Sequence, residues 1–149
     1  MIKICFVGHN DASETIREKA KAVIVSLLRL DNEFEFYDGG MGNFDRICAG
    51  IVRELKKQHS DKHIKLILVL PYMTKQLEHE REYYRRDYDE IIVQDNFETM
   101  HYKAAITNRN RMMINQSDYI IVYVTRDFGG AAQSLKYAEK RKKQIIRII

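Results

Sequence analysis

The chain has 149 residues, of which 45% are hydrophobic and 31% charged, with one proline and seven glycines. That excludes a disordered polymer, a collagen-like chain and a Pro-rich linker, and the length suits one domain that buries roughly 70% of its unfolded surface. No run approaches about 18 uncharged apolar residues, so no membrane-spanning helix is expected. The apolar start, Met1 to Val7, is too short for a signal peptide, which predicts a soluble, cytoplasmic protein. The formal charge of +4 suits an anionic ligand such as a nucleotide or a nucleic acid.

Ile2–Val7 is a short apolar run ending at Gly8 and predicts a buried strand. Ala12–Leu30 places Ile16, Ala20, Val23, Ile24, Leu27 and Leu28 at helical spacing, with Ser13 as an imperfect cap. Glu33–Tyr37 alternates aromatic and acidic residues, as a strand does. Phe44–Lys57 returns to helical spacing through Ile47, Cys48, Ile51, Val52 and Leu55. Ile64–Leu70 is a continuous apolar run, suited to a strand covered on both faces. Lys75–Arg86 is a charged helix candidate and Glu90–Gln94 a short strand. Glu98–Gln116 predicts a helix with Met100, Ala104, Ala105, Met112 and Met113 as its apolar positions. Tyr119–Val124 is a strand, a helix opens at Gly129-Gly130 and runs to about Lys142, and Gln144–Ile149 closes as a strand. Such alternation predicts an α/β domain, 1–149, with a doubly wound, mostly parallel, Rossmann-like sheet.

Cys5 and Cys48 lie in apolar segments and read as buried, reduced thiols. The five histidines are scattered, and no spacing suggests a metal site. The run Lys140-Arg141-Lys142-Lys143 reads first as a helix C-terminus complementing its own dipole.

Ligands of such sheets bind beyond the carboxyl ends of the strands, where the strand order reverses. Six of the seven glycines fall at strand ends: Gly8, Gly39, Gly40, Gly42, Gly129 and Gly130. Glycine lets backbone N–H groups approach a ligand, and the helix that follows presents unpaired N–H groups, so the two loops suit a phosphate. Either loop alone serves a plain turn equally well. Gly8 would let a ligand lie across the first strand end. Arg109, on the helix before the fifth strand, offers a planar fork to an anion, and Asn110 a hydrogen bond to sugar or base; a solvated basic face is the alternative. Asp45 suits a ribose hydroxyl or its own helix N-terminus, and Tyr72, after Pro71, a stacked base or a half-buried aromatic. His9 lacks an evident partner and reads as a hydrogen-bonding loop residue.

The order of these features resembles the SLOG superfamily, which includes the DprA/Smf DNA-processing proteins, the LOG phosphoribohydrolases and a YpsA-like group, the last being the nearest in pattern. The resemblance rests on Gly8-His9, Gly39-Gly40-Met41-Gly42-Asn43-Phe44-Asp45, Leu70-Pro71-Tyr72, Arg109-Asn110 with Met113, Ser117-Asp118 and Gly129-Gly130-Ala131, and spans nearly the whole chain. It implies binding of a nucleotide or nucleotide-derived ligand, such as an ADP-ribose or NAD-related molecule, in a pocket of these loops, Met41 and Ala131 included. It also implies dimerisation through helices, for which Met112-Met113 offers an apolar face. The phosphoribohydrolases carry a Pro-Gly-Gly-x-Gly-Thr-x-x-Glu segment. Here no proline precedes Gly129, Ala131 stands for the threonine, Ser134 for the catalytic glutamate, and Asn110 for the usual lysine. A hydroxyl does not replace that carboxylate, so phosphoribohydrolase activity is not expected. Two alternatives to a nucleotide binder stay open. One is an enzyme that cleaves or transfers nucleotide N-glycosides through Asp45 or Asp127. The other is a DprA-like single-stranded DNA binder, prompted by Arg109, Arg111 and Lys140 to Lys143.

Overall fold

The structure is a computed structural model, and it describes residues 1–94 and 100–149. In chain order the elements are β1 (Ile2–Gly8), a 3-10 turn (Glu14–Ile16), α1 (Arg17–Leu28), β2 (Glu33–Asp38), α2 (Asn43–Gln58) and β3 (His63–Leu70). There follow α3 (Lys75–His79), α4 (Arg81–Asp87), β4 (Glu90–Val93), α5 (Tyr102–Gln116), β5 (Tyr119–Tyr123), α6 (Gly130–Lys140) and β6 (Gln144–Arg147).

The six strands form one sheet in the order β4-β3-β2-β1-β5-β6, and every neighbouring pair is parallel. This is the doubly wound, Rossmann-like α/β fold. The order reverses at β1, so the crevice between β1 and β5 is the switch point, where Gly8 pairs with Tyr123.

Period-two alternation assigns the two faces. Ile4, Phe6, Phe34, Phe36, Ile64 and Leu66 turn towards α1 and α2. Cys5, Val7, Ile67, Val69, Ile120 and Val122 turn towards α5 and α6. Helix α2 packs through Phe44, Ile47, Cys48, Ile51, Val52 and Leu55, a stripe of the spacing an amphipathic helix needs. Both cysteines are buried and free, and burial pushes the Cys5 thiol up to about 12.

Several boundaries move for physical reasons. The first predicted helix begins as a 3-10 turn, because the Ser13 hydroxyl accepts the Thr15 N–H at 3.2 Å and caps it there. The predicted helix over Lys75–Arg86 divides into α3 and α4 at Glu80, whose φ of −123° is not helical. Leu77 of α3 packs on Leu68 and Leu70, while α4 brings in Tyr84 and Tyr88. Positions 98 and 99 of the helix predicted over Glu98–Gln116 lie outside the described residues; α5 begins at Tyr102, capped by His101 Nδ1, which accepts the Lys103 N–H at 3.2 Å. Among the described residues no helix is long and apolar enough to cross a membrane.

Candidate functional site

A cleft of about 180 Å³ opens at the switch point. Its floor is Phe6, Val7 and Gly8 at the end of β1, and its walls are Asn10, Met41 and Asp45 on one side and Ile106, Arg109, Asn110 and Met113 of α5 on the other. Gly130, Ala131 and Ser134 bring the first turns of α6 to its mouth. Of the residues singled out in the sequence, Gly8, Met41, Asp45, Arg109, Asn110, Gly130 and Ala131 thus meet in one place. Pro71 is buried and Tyr72 half-buried after β3, and neither lines the cleft.

Beneath the cleft lies a buried charge cluster. Arg109 is only 2% exposed. Its Nη1 donates to the carbonyls of Gly39 at 2.8 Å and Val69 at 3.0 Å, and its Nε donates to Asn110 Oδ1 at 2.8 Å. Asp38 is fully buried; it accepts the Gly40 N–H at 3.2 Å and the Tyr88 hydroxyl at 2.9 Å. Asp45 accepts the Met41 N–H at 3.2 Å. Burial pushes the Asp38 carboxyl up to about 6, against the pull of its hydrogen bonds and of Arg109. Asp45 is raised well above the usual carboxylate range by burial and then by the charge of Asp38, with Arg109 opposing. Burial also pulls the guanidinium down, while Asp45 and Asp38 support its charge. Two acids thus share one arginine, and the arginine's hydrogen bonds hold the Gly39 turn to β3.

The loops behind the cleft are tied to one another. His9 is buried, and its Nε2 accepts the Thr125 N–H at 2.8 Å, so this nitrogen carries no proton. Burial, then the nearby Arg126, holds the ring below its usual value. Arg126 forks onto Asp11 at 3.0 and 3.1 Å. The Asn43 N–H donates to the Asn10 carbonyl at 2.9 Å.

The two glycine-capped helices differ. Gly42, the N-cap of α2, has φ of +90°, and a Cβ there would lie 2.7 Å from the Asn10 Cα. Gly129, the N-cap of α6, has φ of +92°, with nothing within 4 Å of that position. The α2 end is packed under the β1–α1 loop, whereas the α6 end is open. Gly42→Ala therefore carries both left-handed strain and a backbone clash and should cost roughly 2–4 kcal/mol, against about 1 kcal/mol for Gly129→Ala. Urea unfolding of the two variants checks the ordering. Gly8 owes its identity to Phe44, whose ring lies 2.2 Å from where a Cβ would sit.

A second cavity, about 510 Å³, continues from the cleft between α5 and α6 and shares Ile106, Asn110, Gly130 and Ser134 with it. Arg111, Lys136, Lys140 and Arg141 line it. The Arg111 guanidinium stands 4.9 Å from the centre of the Tyr137 ring. Among the described residues these four cations form no ion pair with a carboxylate. The basic run after α6 divides its duties: Lys143 donates to the Asn115 and Ser117 carbonyls at 2.9 and 3.1 Å, closing the end of α5, while Lys140 and Arg141 border the groove. Sequence reasoning missed Lys136 and Tyr137; the signal was their placement near Gly130 on the same helix. It also missed Asp38, an acid ending a strand just before two glycines.

No protein-family model matches the chain. It is 29% identical over 142 residues to the uncharacterised SPbeta prophage-derived protein YoqJ of Bacillus subtilis, covering 84% of this chain and 81% of that protein. Its fold superposes on DNA processing protein A of Helicobacter pylori, solved for its mode of binding single-stranded DNA, with a TM-score of 0.70 and 17% identity. That match covers 98% of this chain, which spans 64% of the length of the other.

Proposed function

We propose that this chain binds single-stranded nucleic acid, with one phosphate in the switch-point cleft and the adjoining backbone along the α5–α6 groove. The observation that carries this is the continuity of cleft and groove, joined through Asn110, Gly130 and Ser134 and lined beyond them by Arg111, Lys136, Lys140 and Arg141. Unpaired lysines and arginines along one groove suit a row of phosphates. Tyr137, already under Arg111, adds an aromatic surface at the same place. The likeness in fold to a protein that binds single-stranded DNA supports the reading. Under it, Arg109 acts from below: it opposes by its charge the effect of burial on Asp45 and fixes the Gly39 turn by its hydrogen bond, rather than pairing with phosphate through a free fork.

A second reading keeps the ligand within the cleft: a nucleotide or nucleotide-derived metabolite held by Gly130, Ala131 and Asn110. The open N-terminus of α6 favours it. Salt separates the two. If the groove's four cations neutralise phosphates, log affinity for an oligonucleotide should fall against log salt with a slope of about −3, at about 0.7 per phosphate on a single strand. Fluorescence anisotropy between about 50 and 200 mM salt measures it. A slope near zero, or binding of AMP or ADP-ribose with no binding of the oligonucleotide, would favour the second reading.

A further inference from the structure

We propose that the mouth of the cleft holds a terminal phosphate, so that the chain takes the phosphorylated end of a strand in preference to its interior. The inference rests on the groove being a strand path, and adds what lies at the end of that path.

The first observation is Ser134. It is 8% exposed and borders both cleft and groove. A helical serine commonly turns its hydroxyl back to the carbonyl four residues earlier, as Ser117 does to Met113 at 2.7 Å. Ser134 makes no such bond, and among the described residues its hydroxyl has no hydrogen-bond partner. The only buried side-chain polar atom without a partner among the described residues is Gln94 Nε2, so the Ser134 hydroxyl reaches the solvent of the cleft and groove it lines, where a ligand oxygen can accept from it.

Two further donors converge on the same mouth. Helix α6 starts at Gly129 without a side-chain cap, and nothing stands within 4 Å of where that glycine's Cβ would be. The first N–H groups of α6 thus have no side-chain cap, and Gly130 and Ala131 line the cleft. Asn110 commits its Oδ1 to the Arg109 Nε, which leaves its Nδ2 as the donor on the cleft side. Hydroxyl, amide and backbone N–H together form a compact set of donors. The groove beyond supplies long, flexible cations instead.

The shape argues for an end. Behind the cleft the loops are joined by Asn43 to Asn10, by Thr125 to His9 and by Arg126 to Asp11. The cleft, at about 180 Å³, has room for a phosphate and part of its sugar, not for a strand passing through. A terminal phosphate also fits the donors better than an internal one: it offers three free oxygens and nearly a second negative charge. Asp45 lies in the same wall, but burial favours its protonated form and Arg109 stands beside it, so the wall does not repel an anion as a free carboxylate would.

The test uses a single-stranded oligonucleotide labelled internally, so that both ends are free. Four forms are compared by anisotropy: 5′-phosphorylated, 3′-phosphorylated, hydroxyl at both ends, and covalently closed. We expect one phosphorylated form to bind at least about tenfold more tightly than the hydroxyl-ended strand, the gain of a charge-assisted hydrogen bond or more. The closed circle should bind like the hydroxyl-ended strand. Ser134→Ala, shown to be folded by circular dichroism, should bring the ratio of phosphorylated to hydroxyl-ended affinity down by about fivefold or more. Equal binding of all four forms overturns the end preference and leaves the strand reading standing. Binding of none overturns both. A ratio unchanged in Ser134→Ala removes that residue from the site.

Discussion

Arg109→Ala will destabilise the fold by about 3–5 kcal/mol, the cost of orphaning two buried carbonyl acceptors and of removing a buried positive charge that favours two buried acids. The guanidinium is 2% exposed and bonds to two carbonyls from separate segments, Gly39 and Val69. Truncation orphans these acceptors and removes the positive charge that acts on both Asp38 and Asp45, leaving Arg53 to act on Asp38. Since a domain of this size commonly has about 5–15 kcal/mol in all, the variant should unfold at a much lower urea concentration. Arg109→Lys should recover only part of the loss, because an ammonium does not reach the carbonyls and the acids with the same fork. The interaction with Asp45 can be isolated: Asp45→Asn placed in the Arg109→Ala background should restore about 1 kcal/mol or more. A urea midpoint for Arg109→Ala equal to the wild type would show the arginine to be dispensable to the fold.

The same cluster makes stability depend on pH in a definite direction. Both acids are raised in the folded state, so the fold binds protons that the unfolded chain has released. Stability therefore falls as pH rises from the ordinary carboxyl value of 3.8 through about 6, where Asp38 titrates. Without Arg109 the charge that lowers both acids is gone and only Arg53 still acts on Asp38, so the fall extends to higher pH. The loss caused by Arg109→Ala should accordingly be larger at pH 8 than at pH 5. A loss that shrinks with pH would contradict the assignment.

The sequence made the scaffold legible because burial leaves a periodic trace. The apolar runs at Ile2–Val7 and Ile64–Leu70 and the stripe from Phe44 to Leu55 each name an element and its buried face. The glycines marked the strand ends, and two of them, Gly8 and Gly130, line the cleft, while Gly39, Gly40, Gly42 and Gly129 do not. What the sequence did not show is which way each polar group turns. Arg109 sits four residues from Ala105 and four from Met113, both buried, so its position on the apolar stripe was a sign of burial; its polar neighbours Asn108 and Arg111 disguised it as part of a solvated face. Gly42 and Gly129 look alike in sequence and have nearly the same φ. Only the packing of Asn10 over one of them distinguishes a closed helix end from an open one. The groove was illegible for another reason: it needs α5 and α6 side by side, and that adjacency comes from the sheet order rather than from any local pattern.

Reversing the charge along that groove, with Lys136→Glu, Lys140→Glu and Arg141→Glu together, should weaken binding of a single-stranded oligonucleotide by about 100-fold or more at moderate salt. All three side chains are exposed. None is held by a carboxylate among the described residues, so the fold should survive within about 1 kcal/mol, and urea unfolding verifies this. Each substitution removes an attraction of up to about 1 kcal/mol for a phosphate and adds a repulsion of similar size. The salt slope should also collapse towards that of Arg111 alone, which stays in place over Tyr137. A ligand held only in the cleft would respond differently. AMP or ADP-ribose bound at Gly130, Ala131 and Asn110 would sense the triple change as a distant, screened field and lose little affinity. The variant thus separates a strand lying along α5 and α6 from a metabolite at the switch point. Oligonucleotide binding that survives the triple reversal would place the strand elsewhere on the protein.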